Sequence, residues 1–440
     1  MPEASRTSER WRRAEWTLLA VFLLCQFWHL RFQAGSISGF DAGDYLHRVN
    51  LTAAGVTNPE LRSAFWAYHP PLAFLAARAL MGIPGVTDVL AVQWVAKLSL
   101  LTAFFAVRAV LARMDLLSVP AGIAFLYLFP SLPLMVHASA SLNMDMPVLA
   151  LGSLVLLASI RLWRSPDRSL LGRVGWGVLL VGSLVAALFV KFSGLLLAAL
   201  PPLVAVNTDG PTSARLRRLG SAMLPACCAI LIAFPYFYGR YYVPTGSFFP
   251  NVNEWWYPDE LRAARAARDA DRTGFVADLF LPARRPPGDP GATRDPERTR
   301  LVDTWEDLWR KDAALGPTTP TARGPGRLYA LLFAGAILVG GVRSAFRNRA
   351  GGGDAWAEWG RIVLPFGLLQ LLALIAFIWQ QPIVNVIPGK CLYILPIAWS
   401  VAYLAASLLP TRPDSPRPFV YLAFLAPACF FVLNLVLPVY

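Results

Sequence analysis

The chain is short of the residues from which soluble catalytic domains are built. Of its 440 residues only 15% are charged, and it has four histidines and five cysteines. Cys25, Cys227, Cys228, Cys391 and Cys429 lie in or beside apolar runs, and their spacing fits neither a disulfide framework nor a zinc site. No stretch offers a Gly-rich nucleotide fingerprint, and neither an internal repeat nor a soluble catalytic segment is visible. Acidic residues are also few, which leaves a formal net charge of +13. That charge does not point to nucleic acid, because the basic residues form short clusters between apolar runs, the pattern by which membrane proteins orient themselves.

What the chain has in abundance is apolar sequence, 56% of all residues. Runs long enough to cross a bilayer as helices fall near 16–33, 89–112, 118–138, 146–162, 174–190, 192–206, 220–238, 327–343, 361–379, 391–409 and 418–438. This predicts an all-α polytopic membrane protein of about eleven spans, in one transmembrane domain over 1–440. The first run follows Arg10, Arg12 and Arg13, and without a small-residue cleavage site after it, it reads as a retained anchor. A further run from His69 to Ile83 is too short for a span and opens on His-Pro-Pro, so an interfacial helix is expected there.

Counting that run as interfacial places Arg113, the Arg161–Arg173 and Arg215–Arg218 clusters, the Arg343–Arg349 cluster, Arg412 and Arg417 on the side of the basic N-terminus. The positive-inside rule then holds at every short loop, with the N-terminus cytoplasmic and Tyr440 outside. A bacterial inner membrane is the expected location. The outer side carries a first loop over about 34–88, turns near His137–Asp145 and at Lys191, a long loop over about 240–326, and the segment Gln380–Lys390. In the long loop an Arg-rich helix is expected over Leu261–Asp271, then a Pro/Gly-rich linker near 282–296. Trp305 and Trp309, four apart, suit a helix lying on the bilayer.

The outer side also holds the residues able to do chemistry. Asp41 and Asp44 are three apart, so on a helical turn both carboxylates point the same way and can take a proton or bind a divalent cation. A solvated loop with an N-cap aspartate is the plainer alternative. His69 joins His47 and His137 on that side, yet no His-x-x-x-His spacing supports a metal, which favours a hydrogen-bonding or phosphate-facing role. Asp145 sits at the edge of hydrocarbon, where an ionisable group is functional by default, although an N-cap before Pro147 fits equally well. Only four lysines stand against thirty-six arginines, and Lys191 and Lys390 both fall at outer turns. Cations held there against the positive-inside rule suggest an anionic partner such as a lipid phosphate, with Arg240 able to join them. Snorkelling is the alternative for each lysine alone.

At these residues the chain resembles the GT-C superfamily of integral-membrane glycosyltransferases, in the branch of protein O-mannosyltransferase-like and aminoarabinose transferases. The resemblance is carried by Asp41-Ala42-Gly43-Asp44-Tyr45, His69-Pro70-Pro71-Leu72, Asp145, Lys191 with Gly194, Gly246-Ser247-Phe248-Phe249-Pro250, and Lys390, Tyr393 and Pro396, in that order. One position departs from it: Ala42 stands where the family often has a second acid. The resemblance implies inverting transfer of a sugar from a polyprenyl-phosphate carrier to a lipid, glycan or protein acceptor on the outer face. It implies that Asp41 is the catalytic carboxylate and that Asp44 supports it or binds an ion. Lys191, Lys390, Arg240 and His69 would hold the carrier phosphate, with Asp145 and Tyr393 lining the substrate site. It leaves a divalent cation open and implies no other cofactor. The rival expectations are a flippase for lipid-linked sugars, against which no inverted repeat is found, and a non-catalytic envelope-assembly subunit.

Overall fold

A computed structural model describes residues 3–35, 37, 42–63, 65–142, 145–164, 169–208, 211–251, 253–280, 335–336, 338–343, 355–380 and 396–411. Among the described residues there is no strand, and five helices are long and apolar enough to cross a membrane. This makes the chain an integral membrane protein. In chain order the helices are α1 (Glu3–Gln33), α2 (Ala42–Ala53), α3 (Leu72–Met81), α4 (Asp88–Arg113), α5 (Pro120–Ser131), α6 (Pro133–Ala138) and α7 (Met146–Ser159). They continue as α8 (Leu170–Val190), α9 (Leu200–Asn207), α10 (Thr212–Phe237), α11 (Val243–Thr245), α12 (Asn253–Trp256), α13 (Pro258–Ala270) and α14 (Arg272–Phe280), and end with Ala355–Gln380 (α15) and Ile397–Ala406 (α16).

The expected runs at 89–112, 174–190 and 361–379 appear as single uninterrupted helices, α4, α8 and α15. Others are broken for local reasons. The run at 118–138 splits into α5 and α6 around Leu132, where Pro130 and Pro133 remove backbone donors. The run at 192–206 starts as a 3₁₀ helix, Phe192–Ala199, before α9 takes over at Leu200. α7 and α10 each end in a π-helical turn, Ile160–Arg164 and Tyr238–Tyr242. α1 contains the expected first anchor but is not among the five spans, since Gln26, His29 and Arg31 interrupt its apolar run.

The run expected to lie at the interface forms α3, ten residues or about 15 Å, half of what crossing hydrocarbon requires. The Arg-rich helix of the long loop is α13. The linker at 282–296, Trp305, Trp309 and the span at 418–438 lie outside the described residues, as do Cys391 and Cys429; Cys25, Cys227 and Cys228 are free thiols.

α7 is central, packed against α4 and α8, while α5 packs on α16 and α15 on α16 and α9. Close approach between helices depends on small residues, because association in lipid comes from packing contacts. A Cβ at Gly367 would meet Ser400 Oγ at 2.0 Å, and one at Gly360 would meet the Tyr403 hydroxyl at 2.2 Å. Two ion pairs pin helices together: Arg108 to Glu15 at 2.7 Å, and Arg164 to Glu358 at 2.8 Å, with Arg164 also donating to the Arg113 carbonyl at 2.8 Å. Both join elements far apart in the chain, and both set the register of the bundle that the site is built on.

Candidate functional site

Four elements converge on one region: α2, the turn before α3, the start of α7 with the end of α8, and the end of α10. α2 buries one face, Tyr45, Arg48, Val49 and Thr52, at the i, i+3, i+4 and i+7 spacing of an amphipathic helix. Asp44 lies in its first turn and is partly exposed. Burial raises its carboxyl above the usual aspartate range, opposed by the charge of His47. Asp41 precedes α2 and lies outside the described residues.

Arg48 is fully buried. Its guanidinium donates to the carbonyls of Val56 at 3.3 Å and Thr57 at 2.6 Å and lies 5.3 Å over the Phe74 ring, while its Nε has no hydrogen-bond partner. Burial first, then repulsion from Arg240, lowers it to about 10.

His69 follows the 3₁₀ turn Phe65–Tyr68 and precedes Pro70 and Pro71, which start α3. Its ring is 4.2 Å from that of Tyr68 and 6.1 Å from that of Tyr45. Burial, with Lys191 next and Arg48 after it, lowers its imidazole to about 3. His69 is therefore neutral at physiological pH, one ring nitrogen donating and the other accepting.

The end of α10 holds the loop on which His69 sits. Arg240 Nη2 donates to the carbonyls of Pro59 and, at 3.2 Å, Ala67. The Tyr241 hydroxyl donates to the Tyr68 carbonyl at 2.8 Å, and the Tyr236 hydroxyl donates to Asn58 Oδ1 at 3.1 Å. The π-helical turn brings this about, since one extra residue per turn puts Tyr236, Arg240 and Tyr241 on a common face. Arg240, expected as a phosphate ligand, thus spends its Nη2 on the backbone of the first loop.

Asp145 occupies the N-cap position of α7 but makes no side-chain cap bond. It accepts instead from Lys191 at the end of α8, in an ion pair whose side chains are 6% and 11% exposed. The chain must turn sharply after Lys191 to present that ammonium. Gly194 permits it, because a Cβ there would lie 2.4 Å from the Ala187 carbonyl oxygen. Phe192, beside Lys191, packs against Tyr241 at 5.2 Å and Tyr68 at 6.3 Å, tying the turn to the first loop.

The structure therefore brings His69, Asp145, Lys191 and Arg240 into one neighbourhood, with Arg48 among them, while Asp44 lies on α2 beside His47. Lys390 and Tyr393 lie outside the described residues, and of His137 only the backbone is described. Among the described residues no group of three histidine, cysteine or acidic side chains is placed to hold a metal ion. Two buried cations, Arg48 within the site and Lys97 outside it, were passed over in the sequence. Arg48 shows there only as part of the amphipathic pattern of α2. Lys97, fully buried inside α4, was signalled by a lone cation in a long apolar run.

No family model and no curated protein matches the sequence. Among solved structures the chain is similar to ArnT from Cupriavidus metallidurans in the apo state, with 17% identity and a TM-score of 0.41, covering 89% of this chain and 76% of that one. The form of that protein bound to undecaprenyl phosphate gives 16% identity, a TM-score of 0.41 and coverage of 89% and 77%. The Archaeoglobus fulgidus oligosaccharyltransferase, tethered to an acceptor peptide, gives 12% identity and a TM-score of 0.47, covering 96% of this chain and 55% of that one. At TM-scores below 0.5 these likenesses carry no functional conclusion, and the weight falls on the residues.

Proposed function

We propose that this chain is a GT-C-type glycosyltransferase that moves a sugar from a polyprenyl-phosphate carrier to an acceptor on the outer face of the membrane, with inversion at the anomeric carbon. The observation that carries the reading is the convergence of His69 from the first loop with the Lys191–Asp145 pair from the end of α8 and the start of α7. These are three of the positions at which the sequence resembles that superfamily, and they come from elements distant in the chain.

The chemistry sets what the site must do. An acceptor oxygen attacks the anomeric carbon from the face opposite the phosphate, and the bond from that carbon to the phosphate oxygen breaks with its electron pair staying on the phosphate. Asp41 takes the acceptor proton, and Asp44, three residues on, supports it. The leaving phosphate gains negative charge as the bond breaks, so cations fixed beside it contribute most in the transition state. Lys191 supplies one, oriented by Asp145, and Lys390 the other. His69, neutral beside Lys191, donates one hydrogen bond to a phosphate oxygen without adding a charge. Arg240 and Arg48 hold the first loop in place.

The test is analysis of cell-envelope glycans by mass spectrometry in a strain lacking the gene, complemented with wild type or with Asp41→Asn. A sugar lost on deletion, restored by wild type and absent with Asp41→Asn supports the reading. An unchanged glycan profile on deletion contradicts it.

A further inference from the structure

Among the described residues Lys97 is the one fully buried lysine or arginine outside the site, and nothing above uses it. It lies nine residues into α4, about 13 Å below that helix's first residue. Its side chain is fully buried, and among the described residues it forms no ion pair. Its Nζ donates to Gln26 Oε1 of α1 at 2.6 Å and to Ser139 Oγ at 2.7 Å. Ser139 follows α6 directly and donates in turn to the Val136 carbonyl at 2.8 Å. The Gln26 amide nitrogen, also fully buried, has no partner. A buried ammonium in hydrocarbon costs several kcal/mol unless its surroundings use it.

What it holds is the stretch from Ser139 to Asp145, which joins α6 to α7. Ser139, Ala140, Ser141 and Leu142 are all fully buried, so this turn dips into the bundle and does not run over its surface. Its far end is Asp145, the partner of Lys191. Beyond the Ser139 N–H, which donates to the Met135 carbonyl at 3.0 Å, and the Ser141 hydroxyl, which donates to the Ala138 carbonyl at 3.3 Å, residues 139–142 lie outside any helix and are buried. Their placement comes from side-chain anchors, and Lys97 supplies one at the α6 end while the Asp145–Lys191 pair supplies another at the α7 end.

We propose that Lys97 is a positioning residue: by linking α1 to Ser139 it fixes the depth of residues 139–142, and with them the place of Asp145 three residues on and the orientation of Lys191. The inference rests on the reading that Lys191 faces the leaving phosphate. A shift of about 1 Å at such a group costs on the order of 100-fold in rate.

The test uses the full chain in nanodiscs, wild type against Lys97→Met and Lys97→Arg, with two readouts. In hydrogen exchange, the amides of 139–142 and 145 of Lys97→Met exchange about tenfold faster or more, while α4 and α8 keep wild-type rates and Lys97→Arg stays close to wild type. In transfer from a radiolabelled polyprenyl-phosphate sugar, the kcat of Lys97→Met falls about 10- to 100-fold with the donor KM nearly unchanged. The same substitution costs less than about twofold when added to Asp145→Asn, because its route to the chemistry is already cut.

Wild-type exchange across 139–145 in Lys97→Met, faster exchange through every helix at once, or a full additional loss on top of Asp145→Asn would overturn the proposal. If Lys97→Met does not fold, Ser139→Ala and Gln26→Leu each remove one acceptor and are read the same way. A wild type that transfers no sugar from any such donor refutes the functional reading, and the exchange arm still decides the positioning.

Discussion

At the scale of single residues, the site is governed by how charge is handled at low dielectric. Asp145 and Lys191 are each nearly buried, so removing one partner strands the other. Asp145→Ala or Lys191→Met is expected to destabilise the protein by about 3 kcal/mol, while the double substitution recovers much of that loss, since a matched apolar pair leaves no stranded charge. Thermal unfolding in detergent checks the order, and a double variant as unstable as the worse single would contradict it. His69 gives a pH signature. Its folded-state value of about 3 is below that of the free side chain, so below pH ~6.5 the unfolded chain binds a proton that the folded one refuses. Stability is lost as pH falls from about 6.5 toward 3 and is unaffected above that window. Wild type should therefore lose melting temperature relative to His69→Gln between pH 6.5 and 4, with the difference constant above pH 7.

At the scale of elements, the first loop is held from outside itself. Residues 56–68 have few backbone partners of their own, and their carbonyls are taken up by Arg48, Arg240 and Tyr241. A charged donor to a carbonyl contributes roughly 1.5–3 kcal/mol, so Arg240→Met should speed limited proteolysis within 56–68 by about tenfold or more, with Arg240→Lys intermediate. Wild-type cleavage of Arg240→Met would show that the loop is held by packing alone.

The same elements show what was legible in the sequence. Hydropathy placed α4, α8 and α15 because their apolar runs outweigh single interruptions such as Lys97 and Pro365. It missed the break at Leu132 and the 3₁₀ start at Phe192, since averaging over a window hides what prolines and a glycine do to single hydrogen bonds. Asp145 and Lys191 stood out singly as charges at the edge of hydrocarbon, but their pairing needed the packing of α7 on α8. Arg240 stood out for its charge, and only the fold shows that unpaired carbonyls of the first loop reach it first.

At the scale of the whole molecule, the arrangement has a direction. By the positive-inside rule, α2, α3 and the ends of α8 and α10 are expected on the outer side. A membrane-impermeant maleimide should therefore label Ser63→Cys in intact cells and label Arg215→Cys only after lysis; both positions are exposed. The reverse pattern would turn the site to the cytoplasm and remove the sided part of the proposal.

The central claim is that the outer site breaks the bond between a sugar and a polyprenyl phosphate. The measurement that tests it most directly is release of label from a radiolabelled polyprenyl-phosphate sugar by the purified protein in nanodiscs, supplied with an envelope extract as acceptor source. Transfer by wild type that falls by about 100-fold or more in Asp41→Asn, with Lys191→Met also impaired, is the predicted result. Equal turnover by wild type and Asp41→Asn, or none by wild type with any donor sugar, would contradict it.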